Sequence, residues 1–326
     1  MTLTTQDVGD ENSGSTVRSA LILALKLAVS AGLIALVLSK IDLGELKNRL
    51  LSPGSAALGA ALALAVIQIP VVAWRFRRVL GALGQPIRFA DAVTINMIGL
   101  FFNQSLPSTM GGDAMRVWRL VRSGLTLGRA VSGVLVDRIT ALIGIVILIA
   151  LTLPVLFGLV EDRQPVIAFT VVVAVMVAGI AVTLAIRRLP AFLRHLRLVR
   201  GLGALIGDLR RIVLQPSHSG PVLGLAILGH LLTTAIVYAL ALAYGVQVGY
   251  VECLVLVSPV MLVSVVPISI AGWGVREGAM VAAFALVGIA AADALVVSVA
   301  FGLLNVMIGL PGGLVFLATN GSNKQT

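Results

Sequence analysis

Two short stretches of this sequence set a proline, turn-forming glycines and opposite charges side by side within otherwise apolar surroundings. The first runs Phe102-Asn103-Gln104-Ser105-Leu106-Pro107-Ser108-Thr109-Met110-Gly111-Gly112-Asp113-Ala114-Met115-Arg116. Pro107 lacks a backbone donor and Gly111-Gly112 admit turns closed to other residues, so one helix should stop here and another begin near Asp113. As N-cap, Asp113 would open a helix carrying Arg116, Arg119 and Arg122 on one face. Guanidinium groups hold phosphate bidentately, which suits Arg116 to a lipid headgroup, while Arg119 and Arg122 read as ordinary surface charge.

The second stretch, Pro267-Ile268-Ser269-Ile270-Ala271-Gly272-Trp273-Gly274-Val275-Arg276-Glu277-Gly278, repeats that design. Charges this deep in apolar sequence are costly and are usually paired or functional. Neighbouring helix residues point about 100° apart, so Arg276 and Glu277 need not pair with each other. A third constellation, Asp137-Arg138, sits roughly 12 Å beyond Arg129 at 1.5 Å per helical residue. It is either a clamp between helices or part of a polar pathway, with Arg116 or Arg276 as partner for Asp137.

Other chemistry is poorly supported. The three histidines, His195, His218 and His230, have no second metal-type ligand at helical spacing, so neither a metal nor another cofactor is expected. Gly201-Leu202-Gly203 lacks the spacing of a dinucleotide loop. Asn103-Gln104-Ser105 matches a glycosylation sequon but falls within apolar sequence. Gly220 with Gly224, and Gly309 with Gly313, read as helix-packing faces. No nucleophile stands near a base, and the basic stretch 187–220 reads as a short linker, which argues against a hydrolase or an ATP-driven pump.

The elements that must position these residues follow from composition. Of 326 residues, 59% are hydrophobic and 12% charged, and the mean hydropathy is +1.06. A soluble globule carries about a quarter charged residues. The net charge of +10 comes from basic residues clustered between apolar runs, so no nucleic-acid partner is expected. Residues 1–17 form a polar tail and 318–326 a second one, with a single transmembrane domain over 18–317.

A membrane-crossing helix needs about 20 apolar residues. The runs at 18–38, 54–73, 130–157, 166–186, 221–243 and 294–317 meet that need, while 89–112 and 250–288 are interrupted. The 18–38 run is too long for a signal-peptide core and is expected to be a retained span. Of 24 Lys and Arg residues, the segments 74–88, 113–129 and 187–211 hold four, four and seven. That bias makes these segments and both termini cytoplasmic. The interrupted stretches must then enter the membrane and return to the side they left. The fold class is an all-α polytopic membrane protein with about six full spans and two broken re-entrant elements.

The order of elements recurs. Pro107 precedes Pro267 by 160 residues, and the spans starting near Ala130 and Ala294 are 164 apart. Halves of about 18–158 and 166–317, each with three crossings, would form an inverted repeat. Paired broken helices in inverted halves point to a binding site at the membrane midplane.

Together Asn103, Pro107, Gly111-Gly112-Asp113, Arg116, Asp137-Arg138, Pro267, Gly272, Gly274 and Arg276-Glu277 resemble the flippase-like membrane region of lysylphosphatidylglycerol synthases, over about residues 20–317. The likeness departs at Ala271, where a glycine is expected. In the multiple-peptide-resistance members of that group, the membrane region is thought to move aminoacylated phosphatidylglycerol between leaflets. A separate C-terminal domain performs the tRNA-dependent aminoacylation. This chain ends at Thr326 without a counterpart of that domain, so no aminoacyl transfer is expected. The resemblance implies a lipid flippase of the cell inner (plasma) membrane, with membrane lipids as partners. Two other functions fit the same residues. One is an intramembrane lipid-modifying enzyme using the carboxylates as acid and base. The other is a non-catalytic partner subunit of a separate lipid-modifying enzyme.

Overall fold

The computed structural model describes residues 50–105, 111–160, 162–186, 197–265 and 272–321, and among these the only regular structure is helical. The expected first span at 18–38, both tails apart from residues 318–321, and Pro107 and Pro267 lie outside the described residues. Five helices are long and apolar enough to cross a membrane: α1 (Ser55–Ala82), α4 (Leu127–Leu159), α5 (Arg163–Ala185), α7 (Pro216–Ala243) and α10 (Ala291–Gly321). Large apolar side chains such as Val175, Leu314 and Leu317 stay more than 60% exposed, as lipid-facing residues should.

Each interrupted stretch folds as two helices, α2 (Phe89–Ser105) with α3 (Gly111–Arg122), and α8 (Tyr250–Ser264) with α9 (Val275–Ala285). The members of each pair pack against each other. The basic stretch around residue 200 is not a linker. It contains α6 (Arg197–Leu214), which buries Leu209 and Ile212 against Val79 and Ala82 of α1, Val136 of α4 and Val222 of α7. Ser132 of α4 donates to the Asp208 carboxylate on α6, and Arg210 donates to the Leu184 carbonyl at the end of α5.

α1 and α7 run antiparallel through the centre of the bundle. Gly54 N–H donates to the Ala243 carbonyl at 2.7 Å at one end, while Val79 and Val222 share a cluster at the other. Midway, the Gln68 amide donates to Thr233 Oγ1 at 2.7 Å and to the Gly229 carbonyl at 2.9 Å.

Four helices end on a glycine with positive φ: Gly84 after α1, Gly124 after α3, Gly245 after α7 and Gly288 after α9. In each case the N–H of the next residue reaches back to the carbonyl five residues earlier, as Gln85 does to Leu80 and Val246 to Ala241. This closure satisfies terminal carbonyls and needs a residue that tolerates left-handed backbone. Gly84 and Gly245 stand 161 residues apart and Gly124 and Gly288 stand 164 apart.

Neighbour relations recur as well. Exchanging α1 with α7, α2 with α8, α3 with α9 and α4 with α10 maps the α1–α7 pair onto itself and every other substantial packing pair among these eight helices onto another. α2 packs on α10 as α8 does on α4, and α3 on α4 as α9 does on α10.

Candidate functional site

The first turn of α3 approaches α2 so closely that side chains are excluded from both. A Cβ at Gly112 would collide with the Gly99 carbonyl and the Asn103 side chain, and one at Gly99 would press on the stem of Arg116. Asn103 Oδ1 accepts the Gly112 N–H at 3.0 Å, which ties the hairpin shut. Asp113 does not cap the helix. α3 already includes Gly111 and Gly112, so Asp113 stands within the first turn. Its carboxylate instead accepts from Arg138 Nε at 2.6 Å and Arg116 Nη1 at 3.4 Å.

Arg116 is 6% exposed and links two carboxylates. Its Nη2 donates to Asp137 Oδ2 at 2.7 Å. Asp137, 1% exposed, also accepts from Arg75 of α1, with Nε on Oδ1 at 2.9 Å and Nη2 on Oδ2 at 3.3 Å. The Arg116 guanidinium lies 4.1 Å from the Phe76 ring centroid, a favourable cation–π distance. Its Nε is buried and has no hydrogen-bond partner among the described residues.

This network lines a cavity of about 260 Å³ between α1, α2, α4 and α10. Among the described residues the charged lining groups are Arg75, Arg116, Arg138, Asp113 and Asp137, so the described lining carries one positive charge in excess. Gln68, Asn96, Asn103 and Asn305 add amides, while Leu100, Phe301 and Leu304 form an apolar wall.

The second constellation is built differently. Gly272 and Gly274 both have positive φ, so the backbone turns sharply before α9. Glu277 closes that turn, its Oε2 accepting the Gly274 N–H at 2.6 Å. Although helical spacing does not require it, Arg276 pairs with its neighbour: Nη2 donates to Glu277 Oε1 at 2.5 Å. The helical offset is overcome because the long arginine side chain folds back, sandwiched near the rings of Trp273 and Phe301 at 5.0 and 5.5 Å. Ser298 Oγ of α10 lies 3.3 Å from both Arg276 Nε and Glu277 Oε1.

Sequence-predicted residues therefore fall into two groups. Asn103, Asp113, Arg116, Asp137 and Arg138 share one cavity, whereas Arg276 and Glu277 do not line it. Phe301 stands between, lining the cavity and facing the Arg276 guanidinium. The partner of Asp137 is Arg116 together with Arg75, not Arg276. Sequence reasoning counted Arg75 as a topogenic charge because the apolar run breaks at Trp74-Arg75, yet α1 continues to Ala82 and buries it. The signal that could have found it is Phe76, Val79 and Leu80, which continue an apolar face past the break. Of the proposed packing glycines, Gly309 and Gly313 lie against Leu100 and Phe101 of α2, whereas a Cβ added at Gly220 or Gly224 would meet nothing within 4 Å among the described residues.

The fold and the buried charges define a polytopic α-helical membrane protein with a cationic cavity inside its helix bundle. The chain belongs to the lysylphosphatidylglycerol synthase TM region family, whose model matches residues 23–313. Comparison with curated proteins finds none that matches. Family membership supports a role connected with membrane lipids.

Proposed function

We propose that the cavity between α1, α2, α4 and α10 receives the anionic headgroup of a membrane lipid, and that the protein moves this lipid between leaflets of the plasma membrane. The observation that carries this reading is the buried Nε of Arg116, which has no hydrogen-bond partner among the described residues and sits in a network whose described members carry one excess positive charge. A buried charged donor without an acceptor is costly, and the excess positive charge of the described lining suits the cavity to an anionic group. The apolar wall fits the acyl portion that follows such a headgroup.

The corresponding neighbours of the two halves support an inverted repeat, a design that favours a binding site between its halves. The clustering of basic residues at one face supports a cytoplasmic position for that face. A lipid-modifying enzyme is less well supported, because Asp113 and Asp137 are both committed to guanidinium groups rather than held ready as acid and base.

The test is reconstitution in liposomes with labelled anionic, zwitterionic and lipid-linked sugar substrates. Movement of the anionic lipid without chemical change is the expected result. A modified product would replace the flippase reading with the enzyme, and neither movement nor product would leave the partner-subunit role.

A further inference from the structure

A second cavity, of about 330 Å³, opens where the end of α1 meets the start of α7. Its lining includes Arg77, Arg78, Ser217 and His218 and, among the described residues, no carboxylate. Arg77 is positioned by its Nε, which donates to the Ile87 carbonyl at 3.3 Å. Arg78 makes no hydrogen bond or ion pair among the described residues. Of the carboxylates on nearby elements, Asp91 is paired with Arg88, and Asp208 accepts from Ser132 and does not line the cleft. The first turn of α7, from Pro216, supplies Ser217 and His218 at the positive end of that helix. The other side of the cleft is apolar, formed by Pro86, Ile87 and Val222.

We infer that this cleft is a phosphate-binding site distinct from the central cavity, and that its occupant is the phosphodiester of a lipid in the leaflet on the basic face. Two uncompensated guanidinium groups and a hydroxyl recognise the phosphate oxygens, Arg in forked geometry. The apolar side lies at the ends of two spans, where the glycerol and first acyl carbons of a lipid sit while its phosphate is at the height of the arginines. Soluble phosphate offers the same oxygens without the apolar part, so lipid and free phosphate are distinguishable.

The test uses the full chain in vesicles, with Cys253→Ala and a benzophenone on Gln215→Cys beside the cleft. The probes are radiolabelled phosphatidylglycerol and diacylglycerol of the same chains, with and without excess inorganic phosphate. Photolabelling by phosphatidylglycerol should exceed that by diacylglycerol, and replacing Arg77 and Arg78 by Gln should lower it by about fivefold per arginine removed. Both arginines are exposed, so the variants should fold normally. Labelling unaffected by inorganic phosphate supports the lipid as occupant, and labelling abolished by it makes free phosphate the occupant and overturns the lipid assignment. Equal labelling by the two lipids, or labelling insensitive to the arginine pair, overturns the site.

Discussion

Arg116 and Arg276 sit 160 residues apart, at matching places in the two hairpins, yet their surroundings assign them different tasks. Removing Arg116 leaves Asp137 with Arg75 and Asp113 with Arg138, so no carboxylate is stranded. Arg116→Gln should therefore keep normal abundance and melting temperature in detergent while losing most lipid movement in liposomes. Arg116→Lys should retain part of it, since charge remains but forked geometry is lost. Removing Arg276 leaves Glu277 buried with, among the described residues, only the Ser298 hydroxyl and the Gly274 N–H. Arg276→Ala should cost about 3 to 5 kcal/mol, read as a lowered melting temperature, and Arg276→Ala with Glu277→Gln should recover much of it. A stable Arg276→Ala protein would contradict the clamp. The sequence made the charges themselves legible, because ionisable residues in apolar runs stand out. It did not reveal which are neighbours. Arg75 hid behind the positive-inside pattern, and Ser298, a single hydroxyl in the long apolar run of α10, carries no signal of its own.

At the level of elements, the hairpin of α2 and α3 depends on backbone approach more than on side-chain attraction. Gly112 and Gly99 face each other with no room for a methyl group, and Asn103 bridges the gap. Gly112→Ala must push the helices apart or displace Asn103, which moves Arg116 away from Asp137. A loss of about 1 to 3 kcal/mol is expected for such overpacking, with reduced lipid movement even where protein accumulates. Gly224→Ala, on a helix with open space at that position, should leave melting temperature and transport within error of the parent. Equal damage from the two alanines would point to a general intolerance of helix substitution. The breaks themselves were readable from Pro107 and Pro267 with their glycines, since few other residues interrupt an apolar run so abruptly. Helix ends were not. α1 extends nine residues past the apolar limit at 73 because one face stays buried while the other turns polar. α6 was missed as an element for a related reason: its arginines and glycines dominate the composition, although Leu205, Leu209 and Ile212 recur at helical spacing.

For the whole molecule, the connectivity fixes which helix ends share a face, and this makes the membrane orientation testable. The end of α1, the start of α7 and the packing of α6 meet in one cluster. Leu120 and Leu125 at the end of α3, and Ala130 at the start of α4, pack with Phe76 and Leu80 of α1, so the α2–α3 hairpin returns to the face it left. Met97 and Phe101 of α2 lie against Gly312 and Gly313, which sends the end of α10 to that face too. At the other face, Leu50 and Tyr244 pack with Leu295 and Val296 at the start of α10, and α5 begins beside the end of α4. Because the basic segments gather at the first face, it should be cytoplasmic. Ser52, Gln164, Ser123 and Ser217 are all exposed, so each can carry a single cysteine in a Cys253→Ala background. A membrane-impermeant maleimide added to intact cells should label Ser52→Cys and Gln164→Cys and leave Ser123→Cys and Ser217→Cys untouched until the membrane is permeabilised. Labelling of all four the other way round would invert the protein without altering its fold. Labelling of Ser123→Cys together with Ser52→Cys would place the α3–α4 turn and the start of α1 on one side, which the helix packing forbids if α1 crosses the membrane, and would overturn the re-entrant hairpin on which the headgroup site depends.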